Sequence, residues 1–216
     1  MVADVSELYN KGYQEGSVSD RALDCWQYIS SVLVRHFPLG VEWCDVGCGA
    51  GGLLLALEDR GRKAWGIEGS EHAVGLLPSL QICVWDLRSP IPPVIVQSHI
   101  VTCFDVAEHV GAAEVLVDSI CRLAKSWIVF GAAPPGQDGV GHIDLRPPWE
   151  WQRLFAAHGW VLCPVYTEEV KRDLRSQERH NFLWWVEKNL QVYTLVSQHL
   201  QPRRDLELSC EHSPEM

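Results

Sequence analysis

Glu42-Trp43-Cys44-Asp45-Val46-Gly47-Cys48-Gly49-Ala50-Gly51-Gly52 sets the reading of the whole chain. An apolar run, read as a strand, passes directly into a glycine-rich turn, and Leu53-Leu54-Leu55-Ala56-Leu57 continues as a helical run. Glycine suits such a turn because the chain must reverse sharply, expose bare backbone to a ligand and seat the new helix close to the strand. The loop amides and the helix N-terminus then face a nucleotide. A purely structural turn is the alternative.

The spacing Gly47-x-Gly49-x-x-Gly52 taken alone is the dinucleotide fingerprint of NAD or FAD enzymes. Its neighbours point elsewhere. Asp45 stands at the strand end before the first glycine, Glu68 closes the next apolar strand at 64–68, and Asp86 closes a third at 82–86. An acidic side chain at the position of Glu68 can accept both hydroxyls of a ribose. A nicotinamide enzyme would normally need a second half or a substrate domain, and 216 residues leave no room for one.

Asp45-x-Gly47-x-Gly49-x-Gly51 resembles motif I of the class I S-adenosylmethionine (SAM) methyltransferases. The resemblance implies a doubly wound, mostly parallel, seven-stranded Rossmann-like sheet with an antiparallel strand near its edge. It also implies SAM as cofactor. Asp45, Gly47, Cys48, Gly49 and Gly51 would form the cofactor turn, Glu68 and Gly69 would meet the ribose, and Asp86 and Leu87 would meet the adenine. Asp105, after the fourth strand, would line the same site. The N-terminal segment from Leu8 to Tyr13 is similar to the short cover of these enzymes, with Tyr13 as a contact; a partly ordered tail is the alternative.

Elsewhere the pattern alternates. A helix is expected from Ser19 or Asp20 to residue 36, ended by Pro38 and Gly40, and further helices at 52–60, at 70–77 with Ser70 as cap, at 112–124, at 149–158 and at 168–187. Strands are expected at 99–104, 126–132, 160–165 and 190–196. Pro90, Pro92 and Pro93 exclude a regular helix between residues 87 and 97. This reads as an N-terminal cover and helix (1–40), one SAM-binding domain (41–200) and a disordered polar tail (201–216).

The bulk composition narrows the function. Eighteen Lys and Arg stand against 28 Asp and Glu, a formal net charge of −10, which disfavours a surface that tracks a phosphate backbone. The basic stretch Lys171-Arg172-Asp173-Leu174-Arg175 is laced with acid and reads as a solvated helix face. No apolar run approaches the roughly 20 residues that span a bilayer, so a soluble cytoplasmic protein is expected. Eight scattered cysteines without C-x-x-C or zinc spacing read as reduced core residues.

In an open α/β sheet the substrate lies beyond the carboxyl ends of the strands. Two segments reach that place: Asp105-Val106-Ala107-Glu108-His109 and the loop that carries His142. Asp105-x-x-Glu108-His109 resembles the acidic-x-x-Glu-His element of the ubiquinone-pathway O-methyltransferases and the small-RNA 2′-O-methyltransferases. That element can hold a divalent cation, so Asp105, Glu108 and His109 become candidate ligands for Mg²⁺ or a softer ion. Asp105 departs from the longer Glu usual there. His109 otherwise reads as a helix-start or pocket-wall residue. His142 is a candidate general base, a further ligand or a surface residue. Trp184 and Trp185 read as core packing or as the roof of an aromatic acceptor pocket.

These features lead to an expected SAM-dependent O-methyltransferase of a small molecule: a sugar, a phenol or a polyketide-like metabolite. RNA as acceptor, and a SAM-binding partner or sensor without catalysis, are the alternatives.

Overall fold

The computed structural model describes residues 19–176 and 184–199. Tyr13, its segment and the tail from residue 201 lie outside them. One seven-stranded sheet forms the centre, in the order β3-β2-β1-β4-β5-β7-β6. Its strands are β1 (Glu42–Val46), β2 (Lys63–Glu68), β3 (Ile82–Val84), β4 (Ser98–Phe104), β5 (Ala124–Gly131), β6 (Trp160–Leu162) and β7 (Gln191–Leu195). All neighbours pair in parallel except β7, which runs antiparallel to β5 and β6. This is the doubly wound sheet with one reversed strand next to the edge.

The inner strands are buried on both faces, as helices on either side of a parallel sheet require. Alternate residues feed two cores. Cys44, Val101, Ile128 and Phe130 face the side covered by α5 (Ala113–Leu123) and α6 (Pro148–Ala157). Trp43, Ile100 and Val129 face the side covered by α1 (Asp20–His36), α2 (Gly52–Glu58) and α7 (Pro164–Arg175). Three short helices complete the described chain: α3 (Glu71–Val74), α4 (Ala107–Val110) and α8 (Trp184–Asn189), with a final turn α9 at Val196–His199.

Local chemistry fixes the ends. Ser19 caps α1 by accepting the Ala22 N–H at 3.4 Å, and Ser70 caps α3 through Ala73. Four expectations shift. β3 ends at Val84, so Asp86 stands two residues beyond the strand rather than on it. β6 stops at Leu162 because Pro164 opens α7 at the position where a missing N–H costs least. The helix expected from residue 168 therefore starts earlier, at Pro164, and ends at Arg175. The helical turn α4 was not foreseen as a separate element.

The basic stretch lies on α7, where it is only partly a solvated face: Leu174 is buried, and the carbonyls of Asp173 and Leu174 accept the Tyr28 hydroxyl at 2.7 and 2.9 Å. This ties α1 to α7. Among the described residues seven cysteines are free, five of them buried, and Cys163 lies just after β6. Among the described residues no helix is long and apolar enough to cross a membrane.

Candidate active site

β1, β2 and β4 deliver three polar groups to the carboxyl end of the sheet. Asp45 pairs in register with Thr102, whose hydroxyl donates to the Asp45 carboxylate at 2.6 Å. Burial pushes the Asp45 carboxyl up to about 7, against that hydrogen bond. Glu68, also buried, accepts the Gly49 N–H at 2.8 Å and the Ser70 N–H at 2.9 Å, one on each oxygen. Its carboxyl is raised by burial and partly held back by these amides. Thus Glu68 first shapes the glycine loop. Each of its oxygens keeps lone pairs that can accept from a ribose.

The loop itself rests on β2, since the N–H groups of Gly47 and Cys48 both donate to the Ile67 carbonyl. At Gly49 φ is +56°, and a Cβ there would meet nothing within 4 Å. An open concave backbone at the helix N-terminus is a cradle that a side chain would fill. Gly47 is different: a Cβ would overlap the Val106 side chain, so its glycine serves packing. Leu87 is buried. Gly69 has its backbone beside Trp85, whose N–H donates to the Glu68 carbonyl at 2.9 Å. Asp86 is half-exposed, and Arg88 grips both its oxygens at 2.9 and 3.0 Å and lowers its pKa. An adenine amino group would have to share that carboxylate.

Replacing Glu68 by Ala removes the partner of the Gly49 amide together with the acceptors for a ribose. S-adenosylhomocysteine affinity, measured by titration calorimetry, should weaken by roughly 1.5–3 kcal/mol. Unchanged affinity would separate Glu68 from the ligand.

Beyond β4 the backbone is strained. Asp105 has φ +53°, the one positive value at a non-glycine among the described residues. Its N–H bonds the Gly131 carbonyl at 3.0 Å, and its carboxylate accepts a hydrogen bond from the Trp185 side chain. Burial, with the Glu108 charge adding, pushes the Asp105 carboxyl up to about 8. The sign of the resulting pH dependence is defined. Unfolded, both Asp45 and Asp105 titrate near 3.8; folded, they hold protons to about 7 and 8. Their contribution is fully present below the unfolded value and is lost as pH rises through the folded ones. The thermal midpoint of the cofactor-free protein should fall between about pH 5 and 8, and Asp105→Asn should flatten that fall. Equal slopes in both proteins would count against it.

Glu108, His109 and His142 form a separate cluster, with one ligating atom of each within 4.8 Å of the others. Glu108 is fully buried. One oxygen accepts the Ala133 N–H at 2.9 Å, and the other has no partner. The backbone carbonyl of Glu108 accepts from Ile143 and Asp144, which pins the His142 loop onto α4. His109 Nδ1 lies 3.0 Å from the Gly141 carbonyl, and His142 Nδ1 lies 3.0 Å from that of Gln137. A carbonyl only accepts, so both Nδ1 atoms carry the proton and both Nε2 atoms are left as bases. Burial lowers the His109 pKa, with the His142 charge adding, against the raising effects of Glu108 and the Gly141 carbonyl. The two rings meet edge to face, 4.9 Å between centroids.

Three of the expected residues are thus distributed in an unexpected way. Glu108 and His109 meet His142, while Asp105 lies outside the cluster and bonds Trp185. Trp185 is half-buried and Trp184 is 47% exposed, so the pair is not simply core. Thr102, Gln137 and Gly139 escaped the sequence reading. The His142 ring sits where a Gly139 side chain would stand, and the Gly136-x-x-Gly139-x-Gly141 spacing was the available signal.

Comparison with known proteins agrees with this fold. The pattern of a methyltransferase domain matches residues 21–208. A ubiquinone biosynthesis O-methyltransferase of Pseudomonas syringae is 29% identical, with 76% of each chain covered. Among solved structures, SAM-bound magnesium protoporphyrin IX methyltransferase from Synechocystis superposes with a TM-score of 0.54 at 17% identity, covering 89% of this chain and 83% of that one. A SAM-bound amino pentose methyltransferase from Micromonospora echinaspora gives 0.59 at 16%, covering 87% and 98%. With its motif I turn, its strand order and this match over most of its length, the chain belongs to the class I SAM-dependent methyltransferases.

Proposed function

We propose that the chain methylates a hydroxyl oxygen of a small-molecule metabolite, such as a sugar, a phenol or a polyketide-like compound. The observation that carries the reading is a cluster in which one ligating atom each of Glu108, His109 and His142 lies within 4.8 Å of the others, with one Glu108 oxygen unpartnered and both Nδ1 protons already committed. Such a cluster is satisfied by a cation or by an incoming hydroxyl. Metal-binding histidines commonly have their second nitrogen held by a carbonyl in this way. The donor set therefore fits a divalent ion held by Glu108, His109 and His142, with Mg²⁺ or a softer metal suited to the mixed oxygen and nitrogen ligands. Such an ion would lower the pKa of an acceptor hydroxyl.

SAM supplies an electrophilic methyl group. Asp45, Gly47, Cys48, Gly49, Gly51, Glu68, Gly69, Asp86 and Leu87 are the residues we assign to its binding, with Asp105 between cofactor and acceptor. Asp105, its N–H on the Gly131 carbonyl and its carboxyl on Trp185, would line the transfer path. Methyl transfer needs alignment and exclusion of water more than covalent help. Where no ion is bound, Glu108 and the histidines hold the acceptor hydroxyl and an imidazole Nε2 takes up its proton. The free cysteines fit a reducing, cytoplasmic setting.

Turnover of radiolabelled SAM against a panel of hydroxylated metabolites, with RNA as a parallel substrate, tests the reading. His142→Ala should lower small-molecule turnover most at acidic to neutral pH, where unaided ionisation of the hydroxyl is slowest, and should leave S-adenosylhomocysteine affinity intact. Label appearing in RNA alone, or in nothing, would replace the reading with one of its alternatives.

A further inference from the structure

At the carboxyl end of the sheet a concavity of about 70 Å³ opens, with Ala132, Trp151, Lys171, Lys188, Asn189 and Gln191 in its wall. A complete small-molecule ligand needs roughly 300–1,000 Å³. This space therefore suits one head group.

Its chemistry is one-sided. Lys171 comes from α7 and Lys188 from α8, and the Lys171 ammonium donates to the Lys188 carbonyl at 3.1 Å, joining the two helices. Among the described residues neither ammonium has a carboxylate within ion-pair distance; Lys188 Nζ instead lies 5.2 Å from the Trp184 ring centre. Glu187, the nearest acid in sequence, is held by Arg175 at 2.6 Å. No acid lines the concavity, in a chain with ten more acidic than basic residues. Trp151 adds a buried indole N–H without an acceptor. Two lysines and no acid line one small space, and the Lys171 ammonium has the Lys188 carbonyl as its hydrogen-bond partner, a setting that an anion would complete.

Two links lead from the wall of the concavity to the proposed acceptor site. Ala132 precedes Ala133, whose N–H holds Glu108. Asn189 donates at 3.0 Å to the Gln137 side chain, and the Gln137 carbonyl takes the His142 Nδ1 proton. We propose that Lys171 and Lys188 form a subsite for an anionic oxygen group, carboxylate or phosphate, carried by the methyl acceptor. The acceptor is then a hydroxylated small-molecule acid whose charged end sits between α7 and α8 while its hydroxyl reaches Glu108, His109 and His142. This rests on the reading of that cluster as the hydroxyl end.

Titration calorimetry of the protein saturated with S-adenosylhomocysteine tests it, with 3,4-dihydroxybenzoate, 3,4-dihydroxybenzamide and inorganic phosphate as probes. The acid should bind about tenfold or more tighter than the amide, as loss of charge-assisted hydrogen bonds implies. The double variant Lys171→Met, Lys188→Met should bring the two level while S-adenosylhomocysteine affinity is unchanged. Phosphate binding that vanishes in the double variant, without acid binding, assigns the same lysines to a phosphoryl acceptor. Equal binding of acid and amide without phosphate binding, no binding of any probe, or a preference that survives the double variant overturns the proposal. The cluster reading fails separately: a lysine-dependent acid preference together with full turnover of Glu108→Gln and His142→Ala leaves the subsite standing and removes the hydroxyl assignment.

Discussion

Gly49→Val is expected to abolish S-adenosylhomocysteine binding while the protein still folds. Gly49 has φ +56°, a left-handed conformation that a β-branched residue adopts at a cost of about 1–3 kcal/mol. The space that its Cβ would enter is empty of protein, so nothing inside the fold resists the side chain. The obstruction falls on the ligand instead. Strain would also disturb the Gly49 N–H that Glu68 accepts, and so the loop would lose its outer hold. The affinity loss should reach a hundredfold or more, roughly 3 kcal/mol. A circular dichroism spectrum like that of the wild type, with no calorimetric binding, is the expected pair of results. Retained micromolar binding would mean that the ligand does not lie against this turn.

Chelation and Glu108→Gln should produce the second large effect. If an ion sits on Glu108, His109 and His142, EDTA should lower turnover by about 10²–10³-fold without weakening SAM affinity, and Mg²⁺ or a transition metal should restore it. Glu108→Gln is more informative than Ala. Its amide oxygen can keep the Ala133 N–H, whose loss would leave a buried donor unpaired at about 1–3 kcal/mol. Its NH₂ would replace the orphaned oxygen with a donor, which cannot ligate a metal ion. The apo variant should therefore melt no lower than the wild type, yet show no metal-dependent stabilisation and no rescue. Full activity in EDTA, with full activity of Glu108→Gln, would leave alignment alone as the source of rate.

Much of the cofactor end was legible because its determinants are local. A strand, a glycine turn and a helix follow one another within about fifteen residues, and Asp45 and Glu68 each need only their own strand to be placed, whereas Asp86 lies two residues past β3. The acceptor end resisted for the opposite reason. His142 is 33 positions from His109, and they meet only because the Glu108 carbonyl takes the amides of Ile143 and Asp144. Asp105 seemed a third ligand from its spacing, but a left-handed residue after β4 sends its carboxylate to Trp185. Spacing carries no information about such a turn of the backbone. The extent of α7 was misjudged because the apolar run at 160–165 reads as one strand through Pro164, whose place as a helix's first residue depends on the fold.

The sequence by itself determined the class: the alternation of strands and helices, with a glycine turn that resembles motif I, points to the doubly wound sheet and to the turn that follows its first strand. Only the tertiary structure decided which polar groups share a site. The pairing of Asp45 with Thr102 is a matter of strand register, the triad of Glu108, His109 and His142 is a matter of loop docking, and the facing of Lys171 and Lys188 depends on two helices meeting. Each of these contacts joins residues far apart along the chain. Their geometry is set by packing and by the demand that buried backbone groups be paired, neither of which a local reading of residues contains.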